Sequence, residues 1–241
     1  FVKLAKQIFI GDTQYQGIKS LKSTLNGCQV IPVKSDYILQ ATGGFEYYIS
    51  PSLYTINKPG KKLFVKNINI WHKEYLENGL DAIISNTSGC GTTLKDYGFI
   101  FRNDPEMKKK AKKISELTKD ITEFLDENLK LKFKSNTSKY KIAYHSACSM
   151  QHGQKVHDQP INLIKKTGNT VLNIPDGHIC CGSAGTYNIL QQKIASQLLK
   201  NKLENINKIS PDFISTGNIG CMTQISSGTN IPVVHTVEVI D

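Results

Sequence analysis

Four cysteines in the second half of the chain have a spacing suited to holding a metal. Cys148 is followed after 31 residues by Cys180-Cys181-Gly182, and another 39 residues separate Cys181 from Cys221. A disulfide between neighbouring cysteines closes a small, strained ring, whereas two adjacent thiolates both reach one metal group if the backbone turns. Gly182 and the small residues Ser183-Ala184-Gly185 supply that turn and let backbone amides approach sulfur. The competing reading is a set of buried structural thiols, as free cysteines commonly are. It accounts for one or two of them, but not for four gathered around a Cys-Cys-Gly turn. An iron–sulfur cluster is the favoured occupant. Zinc also takes four thiolates and stays open as the alternative, although the close Cys-x-x-Cys pairs usual for zinc are absent.

The elements that must carry these residues come from an imperfect internal repeat. Asp81-Ala-Ile-Ile-Ser-Asn-Thr-Ser-Gly-Cys90 aligns with Asp212-Phe-Ile-Ser-Thr-Gly-Asn-Ile-Gly-Cys221, each an apolar strand running into Gly-Cys and a helix start. The copies open at Gln7-Ile-Phe-Ile-Gly-Asp12 and Lys141-Ile-Ala-Tyr-His-Ser-Ala-Cys148. Each reads strand, helix, strand, loop, helix, strand, helix. Apolar positions at helical spacing mark residues 161–166 and 189–207, and the span from Pro105 to Leu131 reads as helix. Alternating strands and helices predict an α/β fold of two tandem, pseudo-symmetric lobes, each a mainly parallel sheet flanked by helices. The lysine- and serine-rich stretch Lys132–Lys139 separates a first repeat, residues 1–134, from a second, residues 135–241. Cys148 and Cys221 then lie at strand C-terminal ends, the edge at which open α/β sheets bind ligands.

The first repeat is chemically poorer. It has Asp12 and Thr42-Gly43 where the second has Cys148 and Cys180-Cys181, and Cys90 alone matches. One thiolate with an aspartate does not make a soft-metal site, so this half is expected to be empty and Cys28 to be a core residue. His145, His152, His178 and His235 lie near the second set in sequence. Each could hydrogen-bond a cluster sulfur, but taken singly each reads as an ordinary polar residue near a loop. Tyr144 and Tyr187 read as packing.

Composition narrows the function further. The chain has 241 residues and a formal charge of +10, yet Arg102 is its sole arginine. Readers of bases and phosphates lean on the arginine fork, and the lysines here are scattered, so no nucleic-acid partner is expected. No run of about 18 apolar residues is present, so no transmembrane segment is expected. Six cysteines without a secretory leader point to a reducing compartment. The start at Phe1-Val2-Lys3 reads as a truncated N-terminus. Phosphate-binding glycine loops and a nucleophile elbow are absent, so electrons would be taken from elsewhere and passed on.

Ser88-Gly-Cys-Gly91 with Lys95-Asp-Tyr-Gly98, Cys180-Cys-Gly-Ser-Ala-Gly-Thr-Tyr187, Gly217-Asn-Ile-Gly-Cys-Met222 and Val234-His-Thr-Val-Glu238 together resemble the cysteine-rich CCG-domain family. That family takes in the CCG-containing subunit of heterodisulfide reductase, lactate-utilisation iron–sulfur proteins and the glycolate oxidase iron–sulfur subunit, and the last is most similar in style. The resemblance implies an oxidoreductase subunit that relays electrons from an FAD-containing dehydrogenase subunit, which oxidises glycolate to glyoxylate, to a quinone-type acceptor. It implies Cys148, Cys180, Cys181 and Cys221 as cluster ligands, and a cytoplasmic protein with peripheral contact at the inner membrane. The heterodisulfide reductase form ends its motif in Cys-x-x-Cys, but Cys221 is followed by Met222-Thr223-Gln224. A four-thiolate [4Fe-4S] cluster fits better than a five-cysteine non-cubane one. The ferredoxin-like N-terminal region of full-length relatives is missing from this sequence. Two alternatives remain open: a zinc-stabilised or metal-free docking module for a flavoprotein, and a lactate-utilisation type protein.

Overall fold

A computed structural model of the chain describes residues 8–10, 58–128, 139–185 and 187–240. The expectations for Asp12, Cys28, Thr42-Gly43 and most of the Lys132–Lys139 stretch lie outside these. The chain divides into two compact units, Phe1–Asp120 and Ile121–Asp241.

In the first unit, strands β1 (Ile8–Ile10), β2 (Ile83–Ser85) and β3 (Thr118–Asp120) form a parallel sheet in that order. Helix α1 (Lys58–Asn78) precedes β2. Helices α2 (Ser88–Lys95), α3 (Tyr97–Ile100) and α4 (Lys108–Leu117) lie between β2 and β3. Ile68, Trp71, Leu94, Tyr97, Phe101 and Ile114 make the core. The expected continuous helix from Pro105 is interrupted by β3. Thr118 Oγ1 donates to the Ile114 carbonyl and closes α4. The next residues are extended and pair with β2, which a helical apolar period cannot register.

The second unit begins with α5 (Ile121–Asn128), which Asp126 ties to Lys166 and Asn162 of α6 (Asp158–Lys166). Between them come β4 (Lys141–Tyr144) and a π-helical turn, Ser149–Gln154. The chain continues through β5 (Thr170–Leu172), α7 (Tyr187–Leu190), α8 (Gln192–Ile209), β6 (Phe213–Thr216), α9 (Ile219–Ser226), β7 (Val233–His235) and α10 (Thr236–Ile240). The sheet is wholly parallel in the order β5-β4-β6-β7. Both sheets bear out the α/β class. The apolar run expected as one helix over 189–207 is split at Gln191, whose backbone is non-helical (φ −125°, ψ 53°).

The central strands are buried on both faces, as in a sheet covered by helices. Ala143, Ile206, Ile214, Ile225 and Met150 pack in one cluster, and Ile142, Tyr144 and Ile164 in another. This places Tyr144 in the core, as expected.

Candidate metal centre

The order β5-β4-β6 makes the three strands that lead to the cysteines immediate neighbours, with their C-terminal ends on one edge. Cys148 follows β4 at the head of the π-helical turn. The loop from β5 delivers Cys180-Cys181, and Cys221 is the third residue of α9, after β6. Cys90 has the same position in α2 after β2, so the repeat seen in sequence is a repeat of strand-to-helix geometry.

The Cys-Cys-Gly turn is held by close packing. Gly182 has φ +91°, and a Cβ there would fall 2.3 Å from the Ala195 carbonyl oxygen on α8. Its N–H donates to Cys180 Sγ at 3.3 Å, which is the amide approach to sulfur that the small residues allow. Next in the chain, Ser183 lies against the start of α9: a Cβ on Gly220 would be 2.6 Å from Ser183 Oγ. Asn218 caps α9 and accepts from the Cys221 N–H at 3.0 Å.

These constraints bring the four thiols into one chain of contacts. Cys148 and Cys181 both lie within hydrogen-bond reach of Cys180, and Cys181 also meets Cys221. Cys181 and Cys221 are buried, Cys180 is half-buried and Cys148 is exposed. The thiols divide by role. Donation to Cys180, with burial second, pushes the Cys148 pKa up, and donation to Cys180 and Cys221, again with burial, pushes up that of Cys181. Accepting those contacts pulls Cys180 and Cys221 down. Four adjacent thiols cannot all ionise together, because each thiolate disfavours the next. A bound cation removes that penalty, so the donor set fits a metal centre.

His145 joins this group. It follows β4 directly, its N–H donates to the Ser215 carbonyl at 2.8 Å, and its ring is buried against Cys221. One ring nitrogen and the sulfurs of Cys181 and Cys221 all lie within 4.8 Å of one another. Its Nδ1 has no hydrogen-bond partner among the described residues. In sequence His145 looks like the other histidines near the cysteines. The distinguishing clue was its place at the end of an apolar strand, three residues before Cys148. His152, on the π-helical turn, and His178, on the loop after β5, are exposed and lie outside the buried group, and His235 Nδ1 accepts from the Val237 N–H at 3.1 Å. The side chain of Tyr187 lies outside the described residues. Among the described residues, no helix is long and apolar enough to cross a membrane.

Neighbouring parallel strands bring four thiols together around a Cys-Cys-Gly turn, and residues 142–226 match the family model of the CCG cysteine-rich domain. The chain is similar to the glycolate oxidase iron–sulfur subunit of Escherichia coli (strain K12), with 37% identity over 175 residues, 73% of this chain and 42% of that protein. It is also similar to lactate utilization protein A of Geobacillus sp. (strain WCH70), 28% identical over 167 residues, 67% of this chain and 70% of the relative. The protein of the same name from Anoxybacillus flavithermus (strain DSM 21510 / WK1) is 28% identical over 176 residues, 70% of this chain and 71% of the relative. The chain thus spans less than half the length of the glycolate oxidase subunit.

Proposed function

We propose that the chain is part of an iron–sulfur electron-transfer subunit of a 2-hydroxy-acid dehydrogenase, with Cys148, Cys180, Cys181 and Cys221 holding a [4Fe-4S] cluster. In this reading an FAD-containing partner oxidises the hydroxy acid, glycolate in the first instance, and the electrons pass on to a quinone-type acceptor at the inner-membrane surface. One observation carries it: thiols from three neighbouring strand ends touch one another in a single group. The names of the relatives supply the class of chemistry.

When bound, such a group takes up and gives back single electrons at a potential set by its surroundings. The residues of this chain provide the surroundings. Cys181 and Cys221 keep one side of the site dry, while exposed Cys148 leaves the other open to a partner. The Gly182 N–H, at 3.3 Å from Cys180 Sγ, partly neutralises charge on that sulfur. The buried His145 ring beside Cys221 does the same on the inner side. Ile179, Ile189, Leu190 and Ile194, on either side of the Cys-Cys-Gly turn in sequence, are exposed apolar side chains suited to a protein partner.

Anaerobic purification of the chain should give a brown protein with about four irons per chain and an electron paramagnetic resonance signal on reduction. Assays with the flavin partner on glycolate and L-lactate would separate the two substrate readings. A colourless anaerobic protein with stoichiometric zinc would favour a second reading, a structural ion. The close approach of His145, Cys181 and Cys221 gives that reading its support.

A further inference from the structure

Lysine is rarely buried without a carboxylate to meet it, yet Lys202 on α8 is 2% exposed. Its Nζ donates to the carbonyl oxygens of Asp176 and Gly177, each at 3.1 Å. Among the described residues it forms no ion pair. The two carbonyls belong to the loop that runs from β5 to Cys180, and this loop is tightly folded. Asp176 has φ +51°, and a Cβ on Gly177 would fall 2.9 Å from the Ile174 carbonyl oxygen.

Lys202 and Ala195 lie two turns apart on one face of α8. Ala195 stops the loop at Gly182, beyond the cysteines, and Lys202 ties it at Asp176 and Gly177, before them. Burial lowers the lysine pKa, and negative charge on Cys181, Cys180, Asp176 and Cys221 opposes that fall. Three of the four groups whose charge acts on this ammonium are cysteines of the Cys-Cys-Gly turn and α9.

We infer that Lys202 is the fixed counter-charge of the cysteine centre: its buried ammonium tethers the Asp176–Gly177 turn and compensates the thiolates of Cys180, Cys181 and Cys221 when metal is bound. This rests on the reading of those cysteines as metal donors. Thiols that bind a divalent ion release protons and leave the site net negative, and a buried cation favours that state. Reduction of a cluster adds a further negative charge, so the same cation raises the potential. Lys202 is thus a positioning and charge-setting residue that touches no reacting atom.

The test uses the full chain with Lys202→Gln, Lys202→Arg and Lys202→Met. Glutamine keeps an N–H donor without the charge, arginine keeps the charge, and methionine keeps neither. Metal-free protein is titrated with Co²⁺ against a chelator. K202Q and K202M should bind at least tenfold more weakly than the parent, and K202R should stay closer to it. In anaerobically reconstituted protein, K202Q should have a more negative midpoint potential, and a tenfold loss for a one-electron couple reads as about 59 mV. Unchanged cobalt affinity and potential in K202Q would overturn the inference, even with a lowered melting temperature, because a plain structural tether would do the same. Should K202M fail to fold, K202Q and K202R decide. Cobalt binding that depends on Lys202 in a chain that takes up no iron would remove the iron–sulfur reading and leave this one standing. A parent that binds neither metal would remove both.

Discussion

Gly182 is wedged against Ala195: a Cβ at position 182 would sit 2.3 Å from the Ala195 carbonyl oxygen, and the glycine backbone is already at φ +91°. Backbone cannot retreat from backbone as a flexible side chain would. Gly182→Ala should therefore push the Cys180-Cys181 turn off α8. Left-handed strain alone costs roughly 1–2 kcal/mol, and the overlap adds to it. Metal content after anaerobic reconstitution, measured with the melting temperature, checks this. A variant with full metal content and unchanged stability would refute it.

Cysteine substitutions should separate the two units. Cys181 is fully buried among other thiols, whereas Cys90 packs in the first unit. Cys181→Ser is expected to abolish iron retention, and Cys90→Ala to leave iron per chain at the parent value. Equal loss in both variants would mean that the first repeat also holds metal.

His145 supplies a nitrogen close to Cys181 and Cys221. Groups that support metal ligands typically contribute roughly 10–100-fold in affinity, so His145→Ala should release metal to a chelator about that much more readily. Parent-like release would return His145 to a purely packing role.

The cap on α9 gives a stability prediction that is independent of metal. Asn218 holds the Cys221 N–H, and loss of such a cap costs about 1 kcal/mol. Asn218→Ala should lower the urea midpoint of metal-free protein by a corresponding amount, with the slope unchanged.

Asp104 gives a pH dependence in the first unit. Its carboxylate accepts from the Met107 N–H at 3.1 Å and the Glu106 N–H at 3.2 Å, and it pairs with Lys61 at 3.4 Å. The Met107 contact is foremost in holding its pKa below the usual aspartate range. A depressed folded-state pKa stabilises above the unfolded value, about 3.9. That contribution is lost as pH falls through the folded value. The melting-temperature gap between parent and Asp104→Asn should be widest near neutral pH and close in acid. A gap that does not change with pH would show that the charge has no part.

The parts of the fold that repeat were legible in the sequence. Asp81–Cys90 and Asp212–Cys221 encode the same strand-to-helix turn, and both cysteines fall on the third residue of a helix. Spacing also located four thiols at strand ends, but it could not give the order β5-β4-β6 that makes those ends neighbours. Strand order is decided by pairing between distant segments, which leaves no local trace. Thr118–Asp120 was hidden for a related reason: three residues inside a helical period become a strand because β2 offers an edge. His145 and Lys202 were missed because their roles depend on burial. A histidine after a strand and a lysine on an amphipathic helix look like surface residues until the sheet and the cysteine loop close over them.

The position of β4 between β5 and β6 also sets a schedule. During synthesis the ribosome releases Cys148 first and Cys221 last, and β6 is the strand that leads into Cys221. A nascent chain shorter than this exposes three sulfurs without an enclosure. On the proposed metal reading, loading follows translation of β6, because a product terminated before that strand lacks Cys221.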